Sequence, residues 1–210
     1  MRRPPQISIS RLAVYLRFLE DYIKEKGPQA TINSEALAKF LDINPHQIRK
    51  DLSYFGKFGE RGVGYRVKEL IDTISRILGL QRPWNLCLCG LGNLGSALLA
   101  YNGFRQMHLT IVAIFDNDPE KIGTKIRGVA VSSPRQIPGL VKKLNITIAI
   151  IAVPQAVAQG IADALLRAGV RAILNFAPVK LTMPPHVKLR NADFSAELVH
   201  LTHYLSSASQ

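Results

Sequence analysis

The chain has almost no cysteine. Cys87 and Cys89 are its two, both within one short apolar run, with no C-x-x-C and no neighbouring histidine or acid. Two ligands do not make a metal centre, so no metal is expected, and the pair lacks the spacing of a redox motif. Both thiols read as buried residues sharing one face of a strand. Long apolar runs are missing too. The longest, Ile146 to Val153, is too short to span a bilayer. The opening MRRPPQISIS carries charge but no apolar signal core, so a cytoplasmic location is expected. Acids are scarce: 15 Asp/Glu stand against 27 Lys/Arg, a formal charge of +12, which favours a polyanionic partner. The surplus is spread over the chain, with 15 Lys/Arg against 9 Asp/Glu in residues 1–84 and 12 against 6 in residues 85–210. Where the cations point therefore matters more than their number. There are no internal repeats, and 210 residues suffice for one or two domains with a real core.

What is present begins with three short helices. Ile9, Leu12, Ala13, Leu16, Leu19 and Ile23 recur at threes and fours over residues 8–26, and Gly27-Pro28 stops the run. Ser34 is expected to cap a second helix, Glu35 to Leu41. After the turn at Asp42-Ile43, Asn44 caps a third, with Pro45 suited to its first turn. This is the layout of a helix-turn-helix. On the third helix Ile48, Leu52 and Phe55 fall on one side, and His46, Arg49, Lys50, Ser53 and Tyr54 on the other. Cations, a hydroxyl and a phenol on an outer face suit a major groove and its phosphates. Residues 55–67, FGKFGERGVGYRV, are too glycine-rich for a helix, and Val63, Tyr65 and Val67 alternate as in a strand. A bent hairpin after a recognition helix reads as a wing, presenting Lys57, Arg61, Tyr65 and Arg66 to backbone or minor groove. A helix from Leu70 to Leu78 closes at Gly79, and Gln81-Arg82-Pro83 marks a boundary.

The second half opens on a strand, Leu86 to Cys89, followed by Gly90-Leu91-Gly92-Asn93-Leu94-Gly95. In G-x-G-x-x-G the first glycine makes the turn, the second admits a pyrophosphate to the backbone, and the third lets the helix pack on the strand. The helix from Asn93 offers free N–H groups and a positive dipole end. A second strand, Ile111 to Phe115, ends at Asp116-Asn117, 21 residues past Gly95 at the acid, where a ribose-binding carboxylate is expected. An acid there favours NAD(H) over NADP(H). Val129–Val131, Ile146–Val153, Val170–Phe176 and Val187–Arg190 read as further strands of a doubly wound sheet, the second almost wholly apolar because both its faces are covered. Val153 and Pro154 end that strand near the expected nicotinamide half. An Ala-rich helix spans residues 156–168. Ser195 is expected to cap a last helix whose Leu198, Leu201 and Leu205 form a stripe needing cover, by its own core or by a second subunit.

ISRLAVYLRFLE, HQIRKDLSYFGKFGERGVGYRV, GLGNLGSAL, FDNDPEKIG, ILNFAPV and NADFSAEL resemble the Rex family of redox-sensing transcriptional repressors over nearly the whole chain. The resemblance implies an α/β protein: a winged helix-turn-helix over residues 1–80, a Rossmann doubly wound parallel sheet over 81–192, and a C-terminal helix over 193–210 exchanged between the subunits of a homodimer. It implies binding to double-stranded operator DNA upstream of fermentation and respiration genes, release by NADH, and competition by NAD+. It also implies that Asp193 contacts Arg17 or Tyr101 according to ligand state, that Tyr101 lies near the cofactor, and that Phe194 lies near a nicotinamide, the partner's. A dehydrogenase with a basic appendage is the other reading of the glycine-rich stretch. None of His46, His108, His186, His200 and His203 follows an apolar strand as a hydride-transfer acid or base would, and no length remains for a substrate domain.

Overall fold

The computed structural model describes residues 4–56, 58–59 and 64–208, and the chain divides into two compact units, Met1–Arg82 and Pro83–Gln210. Lys57, Arg61 and Val63, assigned above to the wing, lie outside the described residues.

In the first unit, helices α1 (Gln6–Lys26), α2 (Ser34–Leu41), α3 (Pro45–Ser53) and α4 (Val67–Ile77) surround one core. Leu12, Tyr15, Leu16 and Leu19 of α1 meet Leu37 of α2, Ile48 and Leu52 of α3, and Val67, Leu70 and Ile74 of α4. Full burial of each such Leu or Ile is worth roughly 1.5–3 kcal/mol over exposure. The cap of α2 is Asn33, whose side chain accepts from the Ala36 amide at 2.7 Å, and not Ser34, which is the first helical residue. Asn is at least as good a cap as Ser, and one position decides between them. Asn44 caps α3 as expected, accepting from the His46 amide at 2.8 Å. Strands β1 (Thr31–Ile32) and β2 (Tyr65–Arg66) pair antiparallel. The wing strand does not reach Val67, which instead opens α4 and is fully buried. Core burial there outweighs its β propensity.

The second unit is a seven-stranded sheet among the described residues. Its strands are β3 (Trp84–Cys89), β4 (Leu109–Phe115), β5 (Lys125–Ile126), β6 (Val129–Ser132), β7 (Ile146–Ile151), β8 (Ala172–Asn175) and β9 (Lys188–Asn191), in spatial order 5-6-4-3-7-8-9. All neighbours are parallel except β5 and β6. Helices α5 (Asn93–Ala100), α6 (Gly103–Gln106), α7 (Ile137–Lys143) and α8 (Gln155–Ala168) cover it. Alternate residues of one strand feed two cores: Cys87 and Cys89 face Ala158 and Ala162 of α8, while Leu86 and Leu88 join Leu98 and Phe104. Both faces of β3 and β7 are thus covered, which is why those strands are apolar apart from Asn85 and Thr147 near their starts. The order reverses between β3 and β7, so their carboxyl ends leave a crevice at the switch point.

Helix α9 (Phe194–Ala208) follows β9. Asp193, not Ser195, stands at its start, accepting through Oδ1 from the Ser195 amide at 3.0 Å and the Ala196 amide at 3.2 Å. Leu198, Leu201 and Leu205 are 63, 60 and 66% exposed.

Candidate functional site

The crevice at the switch point is built from three turns. Gly90, Leu91 and Gly92 leave β3, Asp116 to Asp118 leave β4, and Ala152 to Pro154 leave β7, and together they line a cavity of about 460 Å³. Gly90 sits at φ +94, and a Cβ there would lie 2.3 Å from the Ala152 carbonyl oxygen. At Gly95 a Cβ would lie 2.0 Å from the Gly90 carbonyl oxygen, so the helix packs directly onto the turn. Gly92 differs: nothing lies within 4 Å of its would-be Cβ. It faces open space, where a phosphate could approach the backbone. No side chain caps α5 at Gly92, so its first amides remain available to an anion with the helix dipole behind them. These features fit a pyrophosphate. Asn93 and Leu94 are exposed beside this turn without lining the cavity.

Asp116 lines the crevice but is 7% exposed. Its Oδ2 accepts from the Leu91 amide at 2.6 Å and its Oδ1 from the Asp118 amide at 2.9 Å. The carboxylate ties the glycine-rich turn to the end of β4, and any ribose hydroxyl would use the lone pairs left over. Asn117 stands exposed beside it. Asp118 and Lys121, paired at 3.1 Å, also line the crevice. The Glu120 amide first, and then Lys121, hold the Asp118 carboxyl below its usual range. The sequence signal for these two was the D-x-D-x-x-K spacing, overlooked because the expected acid had already been found at Asp116. Val153 and Pro154 line the crevice with Val157 and Ile161 of α8 as apolar wall.

Two residues assigned to the cofactor stand elsewhere in this chain. Tyr101 leans on Phe104, ring centroids 5.1 Å apart, in a different cavity. Phe194 packs on Phe176 at 5.9 Å, where Asp193 and Phe194 line a hollow of about 450 Å³ with Asn191 and Lys180. Arg17 is exposed on α1. Cys87 and Cys89 are fully buried, and the hydrogen bond between them, then burial, pushes the Cys89 thiol up, which makes it an inert thiol.

On α3, His46, Lys50 and Ser53 are exposed and Tyr54 half-buried. Ser53 donates to the Lys50 carbonyl at 2.7 Å. Arg49 is not free: it donates to Ser34 Oγ at 2.6 Å and to Glu35 Oε1 at 2.8 Å, bracing α3 against α2. Tyr65 is half-buried on β2. Sequence reasoning passed over Asp51, whose side chain is fully buried under α3. It accepts from Ser8, Arg11 and Tyr15 of α1 and from Gln47, the Ser8 and Tyr15 hydroxyls both at 2.8 Å. A lone acid within HQIRKDLSY offers little to distinguish it from a solvated one; the signal was its place between Ile48 and Leu52 on the inward face.

Comparison with known proteins fits both units. The family described as putative DNA-binding protein N-terminus matches residues 5–53, and that described as CoA binding domain matches residues 81–179. The chain is 51% identical to the redox-sensing transcriptional repressor Rex of Desulfitobacterium hafniense, covering 94% of this chain and 93% of that one. It is 48% identical to the protein of the same name from Pelotomaculum thermopropionicum, covering 94% and 92%. Among solved structures it is similar to RSP in complex with NAD+ and operator DNA, with a TM-score of 0.89 and 36% identity over 98% of this chain and 94% of that one. RSP in complex with NADH gives 0.86 and 34%, over 100% and 97%.

Proposed function

The chain belongs to the Rex family of redox-sensing transcriptional repressors, and on that premise we propose that it is a cytoplasmic repressor that binds double-stranded operator DNA of fermentation and respiration genes and leaves it when NADH enters the crevice at Gly90–Gly92. One observation carries this reading: an open Gly92 and an uncapped α5, fitted to a pyrophosphate, stand in the same chain as an exposed recognition face on α3. Bound NADH would supply an uncharged dihydronicotinamide where NAD+ carries a cationic ring. Gly90 makes the tight turn against Ala152, Gly92 gives the phosphates access, Asp116 holds the turn and offers its remaining lone pairs to ribose, and Val153 and Pro154 wall the nicotinamide half. On DNA, Lys50 and His46 reach the groove while Ser53 and Tyr54 meet phosphates. Arg49 contributes by fixing the angle of α3.

A ligand shifts a two-state protein only by its differential affinity for the two states. The two states proposed are two arrangements of a homodimer held by the exposed stripe of α9, and a coupling of a few kcal/mol suffices. Asp193 is the proposed switch. Both of its cap bonds fall on Oδ1, leaving Oδ2 to accept from Arg17 or Tyr101. In this reading the chain is a regulator and not an enzyme, which the naming of its relatives as transcriptional repressors supports. The test is a gel shift on a palindromic operator with NADH and NAD+ titrated in. NADH is expected to release the DNA and NAD+ to oppose it. Indifference to both, or steady hydride transfer to a small carbonyl, overturns the reading.

A further inference from the structure

A second cavity in the sheet unit, of about 310 Å³, lies at the other end of β4 from Asp116. Its lining is mainly polar, from Asn102 and two arginines, while Leu99, Leu109, Ile111 and Val129 supply a smaller apolar share and the Tyr101–Phe104 pair an aromatic wall. Two cations stand at it, Arg105 of α6 and Arg127, both exposed. Neither guanidinium bonds to another described residue.

The placement of Arg127 is the second observation. Ile126 pairs with Val129, so Arg127-Gly128 is a two-residue hairpin turn, and both residues have positive φ, 51° and 82°. Asn, Asp or Gly suit the first position of such a turn. An arginine there crowds its own Cβ, and no local hydrogen bond compensates it. Strain of this kind, kept beside a cavity, points to work done by the side chain.

We propose that this cavity binds a small amphipathic anion: an apolar or aromatic body against Leu109, Ile111 and the Tyr101–Phe104 wall, with a phosphate or carboxylate head held by Arg105 and Arg127. Guanidinium forks match either head bidentately. Tyr101 belongs to the proposed switch, so an occupant would touch the redox response. That consequence rests on the function proposed above; the binding itself does not.

The test uses the full-length protein with phenyl phosphate, benzoate, phenol and inorganic phosphate as probes, followed by calorimetry and by amide shifts in an NMR spectrum. Phenyl phosphate or benzoate should bind at least tenfold more tightly than phenol and inorganic phosphate, shifting the Leu109 and Ile111 amides. Which anion wins tells phosphate from carboxylate. Arg127→Asn should raise the melting temperature by relieving the turn, yet lose at least tenfold in anion affinity. Absence of binding, equal binding of phenol, equal binding of inorganic phosphate, or affinity retained in Arg127→Asn overturns the proposal.

Discussion

Asp51 shows how much one buried carboxylate organises. Burial alone would raise its pKa, but the hydrogen bonds from Arg11, Ser8, Tyr15 and Gln47 outweigh it and hold the group below its usual range. A carboxylate depressed in the folded state stabilises fully above its unfolded value, near ~3.9, and loses that contribution as pH falls through the folded value. The phenol of Tyr15 moves the other way: burial first, then the bond to Asp51, pushes it up. Its contribution is complete below the ordinary tyrosine value and fades as pH rises beyond it. The recognition unit should therefore hold its stability from pH 5 to 9, as rough bounds from those reference values, and weaken outside them. Asp51→Ala strands four donors and should cost about 3–5 kcal/mol, read by urea unfolding. A loss below 1 kcal/mol would show the network to be incidental. Lys50 on the same helix makes no such bond, so Lys50→Ala should leave stability within ~0.5 kcal/mol while weakening operator binding and lowering its salt slope by about 1. Wild-type binding across salt concentrations would remove Lys50 from the interface.

At the scale of elements, the two outer glycines of the turn and the middle one answer different demands. Gly95→Ala drives a methyl into the Gly90 carbonyl and should lower both the melting temperature and dinucleotide affinity. Gly92→Ala meets nothing in the protein, so it should fold normally and lose affinity alone, by an expected tenfold or more. Equal melting losses in the two variants would contradict this division. Much of the architecture was legible because its causes are local. Apolar periodicity, Asn44-Pro45 and the glycine-rich turn after β3 each act within a few residues. What escaped was decided across the chain. Val67 follows core burial instead of strand alternation, Asp51 is defined by donors from α1, and Asp116 by an amide 25 residues away. Asn33 and Asp193 displaced Ser34 and Ser195 as caps because adjacent cap-forming residues are nearly equivalent. Strand β6 was read at Val129–Val131, but its antiparallel partner β5 was missed because Lys125–Ile126 is too short to show a period.

For the whole molecule, the question is what covers α9. Its stripe faces solvent in the single chain, so Leu201→Arg with Leu205→Arg should convert a dimer into monomers by analytical ultracentrifugation and abolish cooperative operator binding. A doubly substituted chain that stays dimeric would send the contact elsewhere. In the proposed homodimer, where a sister chain buries this stripe, what stability means also changes. Unfolding becomes a reaction of second order in reverse, so the apparent melting temperature should climb with protein concentration. The cell's supply of the polypeptide would then set how much of it stands in working form. A partner defective in the reading head could enter a mixed pair and silence a sound one.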